Sequence, residues 1–365
     1  MHTMIPFINI RAQREAYLSE FKQAEQDVLD SGCFIGGPVV QALESELVEF
    51  TGAKHAITCG SGTDALTIAL LALGLKPGDE VIVPDFTFIA PAECVMRLGG
   101  IPKFADIDPE TLQVSAESIE SLIGEKTRGI IAVNLFGQCA PYEKIRECAQ
   151  TNGLWLIEDS AQAFGAMQNG VPACTFGDIA ITSFYPAKPL GCYGDGGALF
   201  TQDGELANKI RLIANHGSQT RYIHEICGMN SRLDAIQAAV LRVKLSHFKD
   251  ELKKRSENAS KYNEFFNAVP GIAPQEIANG NTSTYAQYTV LADDRPAFLK
   301  KLDAAEIPYC IHYPQPLHEQ PCFKELAQVH ENTNATGACQ KVVSLPMCAF
   351  TDVEEIVARL RKTTF

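Results

Sequence analysis

Short apolar runs and longer amphipathic ones alternate along most of this chain. The runs at 53–58, 80–83, 102–105, 129–133 and 154–157 are brief and largely apolar, the content of buried strands. Between them, 63–73, 88–98 and 142–151 place apolar residues at helical spacing. Two more strand-like runs follow at 178–182 and 198–201. This alternation predicts an α/β fold in which a mostly parallel sheet is sandwiched by helices. Ahead of it stands a helical arm. The apolar residues Tyr17, Leu18, Phe21, Ala24, Val28 and Leu29 predict a helix over 14–30 that Gly32 ends, and a second helix spans 39–50.

Past a helix at 206–214 and an irregular polar stretch, helical spacing runs from 234 to about 266. A strand at 285–291, a helix at 297–305, a strand at 308–312 and a helix at 353–362 then predict a smaller α+β domain. The expected division is 1–248 for the large domain with its helical arm and 249–365 for the small C-terminal one. With 365 residues the chain exceeds the usual size of one domain.

A formal charge of −13 argues against nucleic acid or an acidic membrane surface as the partner. No run is apolar for long enough to span a bilayer, and Met1 to Met4 open no export signal. The expected compartment is the cytoplasm, where twelve scattered cysteines without a C-x-x-C pair read as reduced. The eight histidines lack metal-site spacing, and no metal is expected.

Ligands of such sheets sit beyond the carboxyl ends of the strands. Three loops there carry candidate chemistry. In Cys59-Gly60-Ser61-Gly62-Thr63-Asp64, small residues open a helix whose N–H groups suit a phosphate. The same turn also fits a dinucleotide fingerprint or a turn without ligand. In Glu158-Asp159-Ser160-Ala161-Gln162, a carboxylate ends a buried strand, either as a helix cap or as the partner of a cation. In the stretch Ser183 to Gly197, Lys188 stands between prolines on a glycine-rich loop, either as a solvated surface group or as a Schiff-base former. A phosphate cradle, an acid and an amine together match one ligand, pyridoxal phosphate.

The chain here resembles the fold-type I, pyridoxal phosphate-dependent nucleotide-sugar aminotransferases, the DegT family. The resemblance rests on the three loops above and on Asp85-Phe86-Thr87-Phe88, His216-Gly217, Gly228 to Asp234 and His312-Tyr313-Pro314. It implies an aspartate aminotransferase-like fold. Lys188 would be the Schiff-base lysine and proton carrier, Asp159 the partner of the ring nitrogen, and Gln162 the group facing the ring hydroxyl. Phe88 would stack on the ring, where its alternative is simply core. Gly62, Thr63 and Ser183 would hold the phosphate. Asn230 would reach that phosphate from a second subunit, which makes a homodimer with shared active sites. Arg232, His312 and Tyr313 would contact the nucleotide-sugar, with Arg232 and the histidines as candidate cations.

Gly137-Gln138-Cys139-Ala140 and Tyr285-Ala286-Gln287-Tyr288 resemble one branch of the family. That branch aminates UDP-2-acetamido-2-deoxy-3-oxo-glucuronate, with glutamate as amino donor, for surface polysaccharide such as O-antigen. Other 3- or 4-keto sugars on UDP or dTDP are the alternative substrates. A related sugar dehydratase would have histidine at 188. A nicotinamide enzyme would leave Lys188 without a role, and a non-catalytic scaffold or regulator should have lost Lys188 or Asp159.

Overall fold

The computed structural model describes residues 5–326 and 333–363. Its main sheet takes up strands β1 (His55–Cys59), β2 (Glu80–Pro84), β3 (Ile101–Ala105), β4 (Thr127–Val133) and β5 (Trp155–Asp159). A small hairpin, β6 (Met167–Gln168) with β7 (Val171–Pro172), precedes β8 (Ile179–Ser183) and β9 (Gly197–Thr201). The sheet order is β1-β9-β8-β5-β4-β2-β3, with β9 alone antiparallel to its neighbours. A second, antiparallel sheet joins β10 (Ile272–Pro274), β11 (Tyr288–Ala292) and β12 (Val342–Leu345).

The helices are α1 (Ile10–Ala16), α2 (Leu18–Ser31), α3 (Pro38–Thr51), α4 (Gly62–Leu73), α5 (Ala90–Arg97), α6 (Ala116–Ser121) and α7 (Tyr142–Thr151). They continue with α8 (Gly204–Ala214), α9 (Ala235–Phe266), α10 (Arg295–Ala304), α11 (Thr333–Lys341) and α12 (Val353–Arg361). Among the described residues no helix is long and apolar enough to cross a membrane, and no cluster of acids, cysteines and histidines could hold a metal.

The continuous apolar strands follow from burial on both faces. Side chains alternate along a strand, so Ile131, Ile157, Ile179, Ile181 and Leu199 pack against α4, α5 and α8. Their neighbours Ile130, Ala132 and Leu156 face α7. Ala180, Ala198 and Phe200 face α3 and α9. Helix α9 serves both sheets: Ala238 and Leu241 join the main core, and Tyr262 and Phe266 the core around β11 and β12. The expected division between 248 and 249 falls inside this continuous helix of 32 residues.

Several expected boundaries move, each for a local reason. The arm helix expected over 14–30 is two helices that break at Tyr17. Pro91 sets the start of α5, so Phe88 lies in the loop ahead of it and not on the helix. Tyr285 takes a left-handed φ of 45°, which delays the strand to Tyr288. The strand expected at 308–312 shrinks to one bridge, Cys310 to Ser344.

Gly129 on β4 stands directly opposite Trp155 on β5, and a Cβ there would overlap the indole. Gly129→Ala is expected to cost about 1–3 kcal/mol through overpacking. Trp155 is the only tryptophan, so its fluorescence reports both the unfolding midpoint and the displaced ring. Trp155→Leu should recover the loss; an unshifted midpoint in Gly129→Ala would show that the ring is seated elsewhere.

Candidate active site

Four strands of the main sheet deliver side chains to one edge. Past β1, Ser61 caps α4: its hydroxyl accepts the Asp64 N–H at 3.0 Å and its carbonyl accepts that of Ala65. The N–H groups of Gly62 and Thr63, in the first turn, are left for a ligand. A Cβ on Gly62 would come 2.7 Å from the Cβ of Ser183, so only glycine lets the helix end approach the end of β8 so closely. The two expected phosphate-holding segments therefore meet.

Asp159 and Glu158 end β5 and, as strand neighbours, face opposite ways. Glu158 is wholly buried and is satisfied by donors: Asn134 Nδ2 at 3.0 Å, Ser160 Oγ at 2.7 Å, and the N–H groups of Cys174 and Phe176. That set marks a structural carboxylate. Asp159 is 4% exposed, and its side chain accepts only the Ala161 N–H, at 2.9 Å, among the described residues. Burial lifts its pKa to about 6 against the opposing pull of that N–H and of Lys188. The lysine shows the mirror effect: burial lowers its ammonium pKa, and the Asp159 charge opposes the fall.

Gln162 is buried and places its Oε1 on the Phe136 N–H at 2.9 Å. Its Nε2 remains a donor and reaches the Tyr313 hydroxyl at 3.3 Å. Phe88 is 53% exposed, with its ring centroid 6.4 Å from that of Tyr313, which rules out the core alternative. An apolar ring left in solvent at the strand edge is available to a flat ligand.

His312 and Tyr313 arrive from the segment that leads to the second sheet. His312 lies near enough to Lys188 that burial, then the ammonium, hold its pKa down at about 4. Both influences favour the neutral ring over the cation expected of this histidine. Asn230 and Arg232 are exposed on either side of buried Ser231. Ser231 ties their segment to the α4 turn: its hydroxyl accepts from the Gly60 N–H and donates to Asp64. Among the described residues, neither Asn230 nor Arg232 makes a side-chain hydrogen bond or ion pair within this chain.

One element escaped the sequence reading. Asp85, buried after β2, accepts from the His318 N–H at 2.8 Å and lies 2.5 Å from His318 Nδ1. The Asp85 carbonyl accepts the Leu317 N–H at 2.8 Å. These bonds fasten the 312–318 segment to the loop that carries Phe86 and Phe88. The pair is 233 residues apart, so no local spacing announces it.

A cradle that a Cβ would fill, a buried acid without an ion pair among the described residues and a half-buried amine fit pyridoxal phosphate. The chain matches the DegT/DnrJ/EryC1/StrS aminotransferase family over residues 16–361. It is 45% identical over 353 residues to the UDP-2-acetamido-2-deoxy-3-oxo-D-glucuronate aminotransferase of Pseudomonas aeruginosa, covering 97% of this chain and 98% of that one. It is 41% identical over 360 residues to the UDP-N-acetyl-3-dehydro-alpha-D-glucosamine 3-aminotransferase of Acidithiobacillus ferrooxidans, covering 98% of this chain and 96% of that one. Among solved structures, a DegT DnrJ EryC1 StrS aminotransferase from Brucella abortus superposes with a TM-score of 0.95 at 39% identity, over 98% of this chain and 99% of that one.

The raised pKa of Asp159 carries a sign. From 3.8 unfolded to about 6 folded, its contribution to stability is fully present below about 3.8 and lost as pH rises through 6. In cofactor-free protein, Asp159→Asn should therefore be more stable than wild type at pH 8 by about 3 kcal/mol, with no gain at pH 4. Urea unfolding at the two pH values checks this. His312 titrates with the opposite sign, but equally in both proteins. A variant destabilised at pH 8 would mean that Asp159 is already satisfied by the fold.

Proposed function

The chain belongs to the DegT/DnrJ/EryC1/StrS aminotransferase family, and from that premise we propose that it aminates a UDP-linked 3-oxo sugar with L-glutamate as donor. It is a pyridoxal phosphate-dependent sugar-nucleotide aminotransferase. The substrate proposed is UDP-2-acetamido-2-deoxy-3-oxo-D-glucuronate, on the strength of the 45% identity to the Pseudomonas aeruginosa enzyme of that name. The product would supply a surface polysaccharide made from cytoplasmic nucleotide sugars. The observation that carries the chemistry is that Asp159 and Lys188 lie close enough for each charge to shift the other's pKa.

Pyridoxal phosphate, when bound, supplies an aldehyde for primary amines and a ring that takes up electrons when a proton leaves the attached carbon. Gly62, Thr63 and Ser183 would hold its phosphate, and Phe88 would lie against the ring. The Asp159 carboxylate would pair with the protonated ring nitrogen, and Gln162 Nε2 would donate to the ring hydroxyl. Lys188 Nζ moves the protons. It takes the α proton of the amino acid in the first half-reaction and delivers a proton to the aminated sugar carbon in the second. Its burial favours the neutral amine that such transfer needs. His312 and Tyr313 contact the sugar. The chain would act as a homodimer in which exposed Asn230 reaches the neighbouring subunit's phosphate, and exposed Arg232 contacts the nucleotide-sugar.

The purified enzyme should show a near-visible absorbance band that shifts with glutamate. The 3-oxo uronate should restore the band faster than its counterpart with a hydroxymethyl group at C6. Lys188→Ala should lower turnover by ~10³-fold or more while thermal unfolding stays close to wild type. Turnover retained in that variant would sink the assignment.

A further inference from the structure

A neutral histidine offers either a donor or an acceptor to its ligand, according to which ring nitrogen holds the proton. His312 Nδ1 lies 2.9 Å from Ser344 Oγ, and that oxygen lies 2.9 Å from Thr289 Oγ1. The two hydroxyls are direct cross-strand partners on β11 and β12 and are 0% and 2% exposed. Besides one in which Ser344 accepts from both neighbours and its own buried hydrogen has no acceptor, two proton arrangements satisfy these distances. In the first, Nδ1–H donates to Ser344 and Ser344 donates to Thr289. The Thr289 hydroxyl hydrogen then has no acceptor, because among the described residues Ser344 Oγ is its side chain's only partner. In the second, Thr289 donates to Ser344 and Ser344 donates to Nδ1, so that each hydroxyl hydrogen is used. Folded proteins avoid a buried O–H without an acceptor, which selects the second arrangement.

We infer that Thr289 and Ser344 fix His312 in the tautomer protonated at Nε2, which makes it a neutral hydrogen-bond donor to an oxygen of the sugar nucleotide. The rings of Phe7 and Tyr313 flank the imidazole, with centroids at 6.1 and 5.8 Å. Its low pKa beside Lys188 keeps it uncharged over the working range. A donor at this place selects a carbonyl or carboxylate oxygen without adding a second cation to the lysine's surroundings. Thr289 and Ser344 are positioning residues, acting through the ring. The role toward the sugar rests on the aminotransferase reading above; the tautomer itself rests on the two strands alone.

Nitrogen NMR on the holoenzyme labelled with ¹⁵N at histidine, assigned by difference with His312→Asn, reads the tautomer directly. The wild-type ring should be protonated at Nε2 at neutral pH. Ser344→Ala removes the donor to Nδ1 and should give a mixture of tautomers, whereas Thr289→Val, which leaves the Ser344 hydroxyl no acceptor but Nδ1, should keep the Nε2–H form. In steady-state kinetics Ser344→Ala should raise KM for the keto-sugar about tenfold, as for one lost hydrogen bond, and that for glutamate far less. A wild-type ring protonated at Nδ1, or doubly protonated, overturns the tautomer. Equal effects on both KM values overturn the donor role. An Nε2–H ring in an enzyme whose absorbance ignores glutamate leaves the tautomer standing and removes the aminotransferase reading.

Discussion

An acid and an amine share a dry corner at the carboxyl edge of the main sheet, and the site is arranged around what that costs each of them. Water would ionise both; burial pushes Asp159 up and Lys188 down, and their mutual attraction recovers only part of the penalty. The residual demand is chemical information. Asp159 wants a cation nearer than the lysine, and the lysine is poised to lose its proton. A cofactor with a basic ring nitrogen and an aldehyde answers both. Glu158, one residue away, shows the contrast: with four donors it asks for nothing and serves the fold.

A second constraint is how the distant part of the chain is brought to that corner. Helix α9 runs from one core into the other and sets the small sheet beside the large one. Asp85 and His318 then pin the returning segment to the loop after β2. Gln162 completes the join, since its amide touches both Phe136 and Tyr313. Phe88, Tyr313, His312 and Lys188 thus owe their grouping to bonds outside the reacting groups. The hydroxyl pair on β11 and β12 belongs to the same system, because it orients His312 from beneath.

Much of this is legible in the sequence. The strands that carry the site are short apolar runs bounded by polar loops, and burial on both faces makes such runs conspicuous. The loops of Gly62, Asp159 and Lys188 were legible because glycine, proline and a terminal carboxylate are local signals with local causes. Boundaries read less well where one residue decided them, as Pro91 did for α5 and left-handed Tyr285 for β11. His312 shows the limit most plainly, since its type suggested a cation, whereas its enclosure beside Lys188 favours the neutral ring.

By itself, then, the sequence determined the alternating architecture, the three chemical loops and the cofactor they suit, since each depends on neighbours within a few positions. The tertiary structure decided which of two adjacent acids faces the lysine and which charge state each buried group takes. It also decided which distant partners hold the histidines. Those outcomes depend on desolvation and on hydrogen bonds between residues far apart in the chain, and neither exists until the sheets are packed.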